Sequence, residues 1–188
     1  MKILHCAAAT FLAILMSGPS AFAAKKGGVE LPDSHSLDGQ TLTLNGLGIR
    51  EATFLAIDVY VAGLYLPQKS QEMTEIVKAD VPKHLVMRFV RDVDRGKQAD
   101  AWKEGFKKNA KDFKAIEGKV EELTSWMEDI KNGEQMAVSY VPGKGTTMTV
   151  KGQTKGTIEG EDFQEALFKI YLGPNPPNSG LRDGLLGR

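Results

Sequence analysis

Three polar side chains stand out as groups that could hold an anionic ligand. Arg50 follows the segment Gly46-Leu47-Gly48-Ile49, and Tyr60 lies in a β-branched, aromatic stretch. Asn109 interrupts a stripe of aromatic residues at helical spacing. A guanidinium presents a planar fork of donors that binds a carboxylate or phenolate in two places, more strongly in a half-buried site than in water. Arg50 is therefore the candidate contact for an anionic oxygen.

Each of these residues also has a plainer interpretation. Taken alone, Arg50 is typical of a surface strand residue, and Tyr60 of a core aromatic with its hydroxyl at the edge. Asn109 can bond to the backbone or to solvent. The functional interpretation therefore depends on the three residues being considered together.

Metal, nucleotide and serine-nucleophile chemistry are not indicated. Beyond the first two dozen residues the only histidines are His35 and His84, far apart and without a nearby cysteine, so no zinc or haem pattern is present. The segment 144–147 resembles the end of a phosphate loop but lacks the upstream glycine and the following helix, which predicts a hairpin turn. No serine lies in a nucleophile elbow, and no glycine-rich dinucleotide fingerprint occurs. We expect neither a metal nor a cofactor.

Length and charge indicate one domain without a charged partner. The chain has 188 residues, of which 41% are hydrophobic, enough for one sizeable core. Its 24 Lys and Arg residues balance 24 Asp and Glu residues. This balance produces no long-range field that would gather nucleic acid or an anionic membrane.

The first residues have the pattern of a secretory signal. Lys2 precedes an apolar run over 6–16, and the small-x-small sequence Ala21-Phe22-Ala23 predicts cleavage after Ala23. A retained membrane helix would need roughly 20 continuous apolar residues, and this run is shorter and broken by Gly18-Pro19. We expect a signal peptide over 1–23, a flexible lead-in over 24–36 and one domain over 37–188. The mature protein would be periplasmic or secreted, without a membrane anchor.

A hairpin with a long second strand is predicted at the start of the domain. Residues 41–44 alternate, Asn45-Gly46 is a turn pair, and residues 53–66 are rich in strand formers. Alternation divides the second strand into an apolar face, expected to pack against helices, and a mixed face, expected to line a cleft. The apolar face holds Leu55, Ile57, Val59 and Val61; the mixed face holds Phe54, Asp58, Tyr60 and Ala62. A regular strand places Arg50 on the mixed face, and one bulge would reverse this.

The rest of the chain predicts an α+β fold with helices on one sheet face. Residues 85–93 form a strand, and residues 98–115 a helix whose apolar stripe includes Trp102 and Phe106. A second helix over 119–130 precedes an antiparallel meander over 135–158. Helices over 162–172 and 181–186 complete the order.

Three stretches, in this order and spacing, resemble the chalcone isomerase-like family, in particular its bacterial exported branch. They are 45–50, 59–67, and the tail 166–173 with Leu185-Leu186-Gly187. The resemblance covers roughly residues 31–187. It implies an open-faced β-sandwich, in which an antiparallel sheet is covered on one face by helices and a ligand cleft lies between the long strand and the helical layer.

The resemblance implies two kinds of activity. Plant members of the family isomerise chalcones to flavanones, and other relatives bind fatty acids without catalysis. In both, an arginine meets the anionic oxygen of the ligand, and Arg50 in its Gly-x-Gly-x-Arg setting resembles that residue. The catalytic members carry a threonine where this chain has Tyr60, so the hydroxyl network of the site is altered.

The helix positions of the family can be carried over in two registers. A tyrosine and an asparagine seven residues apart correspond either to Trp102 and Asn109 or, anchored on Gly96, to Ala99 and Phe106. Either register loses the tyrosine hydroxyl that helps to position water in the catalytic members.

Three functions follow as hypotheses. The first is a carrier in which Arg50 binds the head of an amphipathic or phenolic acid and Trp102 and Phe106 hold its tail. The second is an isomerase of a chalcone-like or enone substrate, in which Arg50 stabilises an oxyanion and Tyr60 supplies a hydroxyl, without a cofactor. The third is an envelope protein whose helical face binds another protein. We favour the carrier because the arginine is kept among altered catalytic positions.

Overall fold

A seven-stranded antiparallel sheet forms the centre of the computed structural model, which describes residues 23–52 and 56–188. A separate hairpin, β1 (Ala23–Lys26) and β2 (Val29–Pro32), precedes it. Each strand of the sheet pairs with the next in chain order. These strands are β3 (Ser34–Leu37), β4 (Gln40–Ala52), β5 (Ile57–Leu66), β6 (Lys83–Phe89), β7 (Gln135–Val141), β8 (Gly145–Val150) and β9 (Gln153–Ile158).

Helices cover one face of this sheet, which confirms the predicted α+β open-faced sandwich. They are α1 (Met73–Lys78), α2 (Arg95–Asn109), α3 (Phe113–Ser125), α4 (Glu161–Leu172) and α5 (Ser179–Leu185). The main core joins their apolar sides to the inner residues of β5 to β9. Among the helices of the described ranges, none combines the length and the apolar character that a bilayer crossing requires.

The predicted division of β5 is correct only in part: the mixed face, expected to line a cleft, lies beneath the helices, and Val61 of the predicted core face does not. Tyr60, Ala62 and Leu64 belong to the core beneath the helices, whereas Val61 lies on the other face, where it is also buried. Because the β1–β2 hairpin covers part of that outer face, alternate residues of β5 are buried on both sides, and hydrophobicity alone could not distinguish them. Of the residues in this prediction, Phe54 and Leu55 lie outside the described residues, as does Thr53.

The predicted flexible lead-in over 24–36 is wrong, because these residues form paired strands. Gly27 and Gly28, at φ 53° and 78°, make the turn between β1 and β2. The hairpin covers a small apolar cluster on the outer sheet face, and Tyr65 donates a hydrogen bond to the Pro32 carbonyl at 2.8 Å. The predicted signal peptide lies outside the described residues except for Ala23, the first residue of β1.

The predicted turn at Asn45-Gly46 is also wrong, because β4 runs through it. A register shift between Leu44 and Gly46 marks an irregularity in the β4–β5 ladder, and the connection to β5 comes only after Ala52. Arg50 therefore lies near the end of β4, before the connection, rather than at the start of a long second strand.

Gly46 and Gly48 do not form a turn; they leave space for the backbone of α5. A Cβ atom at Gly48 would lie 2.2 Å from the Leu181 carbonyl oxygen, and one at Gly46 would lie 2.1 Å from the Gly184 carbonyl oxygen. Glycine within a strand often marks such a close approach of two backbones. Gly46 and Gly48 thus allow α5 to pack directly against the part of β4 that carries Arg50.

A stacked histidine pair makes the stability of the fold sensitive to acid. The rings of His35 and His84 lie 3.9 Å apart and nearly parallel, and His84 Nδ1 lies 2.8 Å from the Ser139 hydroxyl. Burial, with a smaller contribution from the charge of His35, lowers the pKa of His84 to about 3. The folded protein therefore keeps His84 neutral at a pH where the unfolded chain, with an ordinary histidine pKa of 6.5, takes up a proton.

We expect the free energy of unfolding to fall by about 2 kcal/mol between pH 6.5 and pH 5 through His84 alone. Urea denaturation of the wild type and of His84→Gln at the two pH values measures this contribution, because the variant lacks the titrating group. An equal pH dependence in both proteins would show that His84 is not held neutral by the fold.

Candidate functional site

A cavity of about 680 Å³ lies between the inner face of the sheet and α2. Its volume falls in the range of small-molecule sites, and aromatic and aliphatic side chains make up much of its wall. The sheet contributes Arg50, Val59, Tyr60 and Phe89; α2 contributes Gln98, Ala101, Trp102 and Gly105; α4 and the loop after it contribute Ile170, Tyr171, Asn175, Pro176 and Pro177.

The α2 wall is anchored at its N-terminal end. The Asp94 carboxylate caps the helix by accepting hydrogen bonds from the Gly96 and Lys97 amides at 2.8 and 3.4 Å. The Gln98 side chain donates to the carbonyls of Val93 and Glu128 at 3.2 and 2.9 Å. These bonds fix the start of α2 to the loops on both sides, so the cavity wall has a defined position.

Arg50 and Tyr60 lie on the same face, as the sequence predicted, although on two strands. Arg50 of β4 is the cross-strand partner of Tyr60 of β5, which in turn pairs with Phe89 of β6. Side chains of directly paired residues project to one side of a sheet, so the three form a row along the cavity floor. The Arg50 side chain is half-buried, and its Nη1 donates to the Glu51 carbonyl. No carboxylate of the described ranges forms an ion pair with it.

Two buried phenols accompany Arg50. Tyr60 and Tyr171 both line the cavity, and the Tyr171 hydroxyl donates a hydrogen bond to the Met87 sulfur at 3.5 Å. Burial raises the pKa of Tyr60 to about 12, although the charge of Arg50 and the neighbouring Tyr171 hydroxyl both oppose the shift. Burial also raises the pKa of Tyr171 well above its usual range. Both phenols are therefore protonated at neutral pH, and the Tyr171 O–H is already used in the bond to Met87.

Tyr171 is a cavity residue that the sequence analysis did not identify as a candidate. It lies on the buried side of α4, among leucine, isoleucine and phenylalanine residues. A single hydroxyl on an otherwise apolar face is the signal that could have identified it, because a buried phenol needs a polar partner.

Of the predicted tail contacts, Trp102 lines the cavity and Phe106 does not. Trp102 is 7% exposed and meets Tyr171 edge-on, with ring centroids 6.0 Å apart. Phe106, one turn further along α2, is fully buried and stacks on Phe163 at 5.3 Å. The expected contact between Phe106 and a ligand is therefore corrected: the helix turns this side chain past the cavity into the core.

Asn109 also lies outside the cavity lining, where it supports the wall. Its side-chain amide donates to the carbonyls of Gly105 and Asn175 at 3.0 and 3.1 Å. Asn175 in turn donates to the Lys108 carbonyl at 3.3 Å. This reciprocal pair holds the end of α2 against the loop after α4, so Asn109 acts on the site through Asn175 rather than by touching a ligand.

Positive charge predominates among the unpaired groups at the cavity mouth. The Asp92 carboxylate forms an ion pair at 2.9 Å with Lys131, a residue outside the cavity lining. The Asp94 carboxylate is used in capping α2. Arg91 and Lys97 also line the mouth, and within residues 23–52 and 56–188 neither has an ion-pair partner. The arrangement favours the approach of an anion.

Comparisons with known proteins agree with the fold described above. A model of the family described as chalcone isomerase-like matches residues 23–187. The crystal structure of a fatty-acid binding protein from Arabidopsis thaliana has a TM-score of 0.73 to this chain at 18% sequence identity, covering 88% of this chain and 96% of that chain. At this identity the similarity establishes the shared fold. A search of curated proteins finds no match to the sequence.

Proposed function

The chain belongs to the chalcone isomerase-like family, and on that premise we propose that it binds one small amphipathic anion in the cavity beneath α2. The observation that carries the proposal is the position of Arg50. Its side chain lines a cavity whose inner wall includes Phe89, Trp102 and Ile170, and no carboxylate of the described residues forms an ion pair with it. An anionic head group would provide that missing partner.

The head group would contact Arg50 and the neighbouring phenol. The guanidinium now donates to a neutral carbonyl, that of Glu51. A carboxylate in its place would form charge-assisted hydrogen bonds, which are roughly twice as strong as neutral ones. The protonated Tyr60 hydroxyl lies on the same face and can donate to a second oxygen.

The tail would lie against the apolar wall formed by Phe89, Trp102 and Ile170. Each methylene group that leaves water contributes about 0.8 kcal/mol. An acyl chain or an aromatic ring therefore suits the wall, and the name of the Arabidopsis neighbour, a fatty-acid binding protein, supports starting with fatty acids.

Native mass spectrometry with decanoate tests the proposal. We expect one decanoate per chain and no complex with decyltrimethylammonium, whose tail is the same length but whose head is a cation. Binding of both amphiphiles to the same extent, or of neither, would contradict a site built for an anion.

A second candidate function is intramolecular lyase chemistry on a chalcone-like substrate. The protonated Tyr60 phenol beside Arg50 favours it, because such donors stabilise a developing oxyanion. The absorbance of a hydroxychalcone incubated with the protein distinguishes the two functions. A carrier leaves only the uncatalysed rate, whereas an isomerase accelerates ring closure.

We also propose that the protein is exported to the periplasm, as in the bacterial exported branch of the family. The support is the sequence of residues 1–23, with its apolar run and small-x-small end. N-terminal sequencing of the protein recovered from a periplasmic fraction is expected to start at Ala24. Recovery of the full-length chain from the cytoplasm alone would contradict export.

A further inference from the structure

The backbone on both sides of Arg50 is held by one side chain, that of Asn178. The Asn178 amide nitrogen donates to the Ile49 carbonyl at 3.0 Å. The Glu51 backbone amide donates to the Asn178 side-chain oxygen at 3.2 Å. One residue therefore satisfies the acceptor immediately before Arg50 and the donor immediately after it.

Asn178 makes these two bonds to β4 instead of capping α5, which is the role expected from its position. It is the N-cap residue of α5, where an asparagine side chain usually accepts a hydrogen bond from an amide of the first turn. Here the side chain forms no cap with α5. When a residue departs from its local preference, the reason is often a functional or strained site nearby, and here the alternative partner is β4.

Strand β4 needs such a partner at this point. Strand β3 pairs only with residues 40–43, so no strand of residues 23–52 or 56–188 pairs with the later part of β4 along that edge. The β4–β5 ladder also shifts register between Arg50 and Glu51. A bulge of this kind leaves backbone groups unpaired and re-aims a side chain. The Asn178 side-chain amide uses one N–H as a donor and its oxygen as an acceptor. It thereby makes the two hydrogen bonds that the backbone of a neighbouring strand would otherwise make.

We propose that Asn178 is a positioning residue that directs the Arg50 guanidinium into the cavity and so determines the preference of the site for an anion. The inference rests on the proposed function, since it concerns the same cavity. Loss of the Asn178 amide frees the Ile49 carbonyl and the Glu51 amide, and the irregular end of β4 then no longer holds Arg50 in one direction.

The test compares decanoate with 1-decanol, which has the same tail and no charge. We expect the wild type to bind decanoate at least about tenfold more tightly than 1-decanol, the effect of a charge-assisted hydrogen bond. Asn178→Ala should reduce this preference to roughly threefold or less while leaving the affinity for 1-decanol unchanged. Asn178→Ser should do the same; serine caps α5 well but is too short to span both β4 groups.

Asn45→Ala is the matched control. Asn45 also ties β4 to the C-terminal region, donating to the Leu185 carbonyl at 2.8 Å and accepting from the Ser70 amide at 2.8 Å. Its loss should lower Tm without changing the preference for decanoate. A full preference retained in Asn178→Ser, or an equal loss in Asn45→Ala, would overturn the positioning role alone. Absence of any preference in the wild type would overturn the proposed function as well.

Discussion

Replacement of Gly48 by alanine is expected to destabilise the protein by about 3 kcal/mol or more. The new methyl group would lie 2.2 Å from the Leu181 carbonyl oxygen and 2.9 Å from the Leu181 Cα atom. Both are backbone atoms, so no side-chain rotation can relieve the contact, and α5 must move away from β4. That movement would also withdraw Asn178 from the backbone around Arg50.

The free energy of unfolding, measured by urea denaturation, gives the size of this effect. Gly118→Ala is the matched control, because Gly118 lies within α3 and a Cβ atom there would meet nothing within 4 Å. Alanine at that position should stabilise the protein by about 0.5 to 1 kcal/mol. If Gly48→Ala were as stable as the wild type, α5 would not be packed on β4 as described.

The substitution Arg50→Gln is expected to weaken decanoate binding about 10- to 100-fold, which corresponds to the roughly 1.5 to 3 kcal/mol of a hydrogen bond to a charged group. Glutamine keeps a hydrogen-bonding side chain but removes the positive charge. Since Arg50 has no ion-pair partner in the part of the chain that the structure describes, its loss should change the free energy of unfolding little. Isothermal titration calorimetry and denaturation separate the two effects.

Arg88→Gln is the control for this substitution. Arg88 is also a half-buried strand arginine bonded to a carbonyl, that of Gly133 at 2.8 Å, but it lies outside the cavity lining. Decanoate should bind this variant as tightly as the wild type. Equal weakening in Arg50→Gln and Arg88→Gln would point to a general effect of positive charge rather than to a contact at Arg50.

Much of the fold could be predicted from local patterns, and β4 shows why some of it could not. Alternation and turn residues correctly predicted the meander of β7, β8 and β9, because each of its turns is local. Gly46 and Gly48 belong to a contact with α5, more than 130 residues along the chain. A glycine that admits a distant backbone has the same local appearance as a glycine in a turn, so β4 was predicted to end too early.

The site shows the same limit. Arg50 was identified by its chemistry, and its shared face with Tyr60 was predicted from one regular strand, whereas the structure brings the two together as partners on β4 and β5. Tyr171 reaches the site only through the packing of α4. Phe106 and Trp102 differ by one turn of α2, and only the rotation of the packed helix decides which of them lines the cavity.

A crystal structure of the protein with decanoate tests the central claim most directly, because it locates the head group. We expect a carboxylate oxygen within about 3 Å of an Arg50 guanidinium nitrogen, with the chain lying against Trp102 and Ile170 beneath α2. A structure with decanoate bound elsewhere, or with its carboxylate in solvent while Arg50 keeps its bond to the Glu51 carbonyl, would contradict the assignment of this cavity as an anion site.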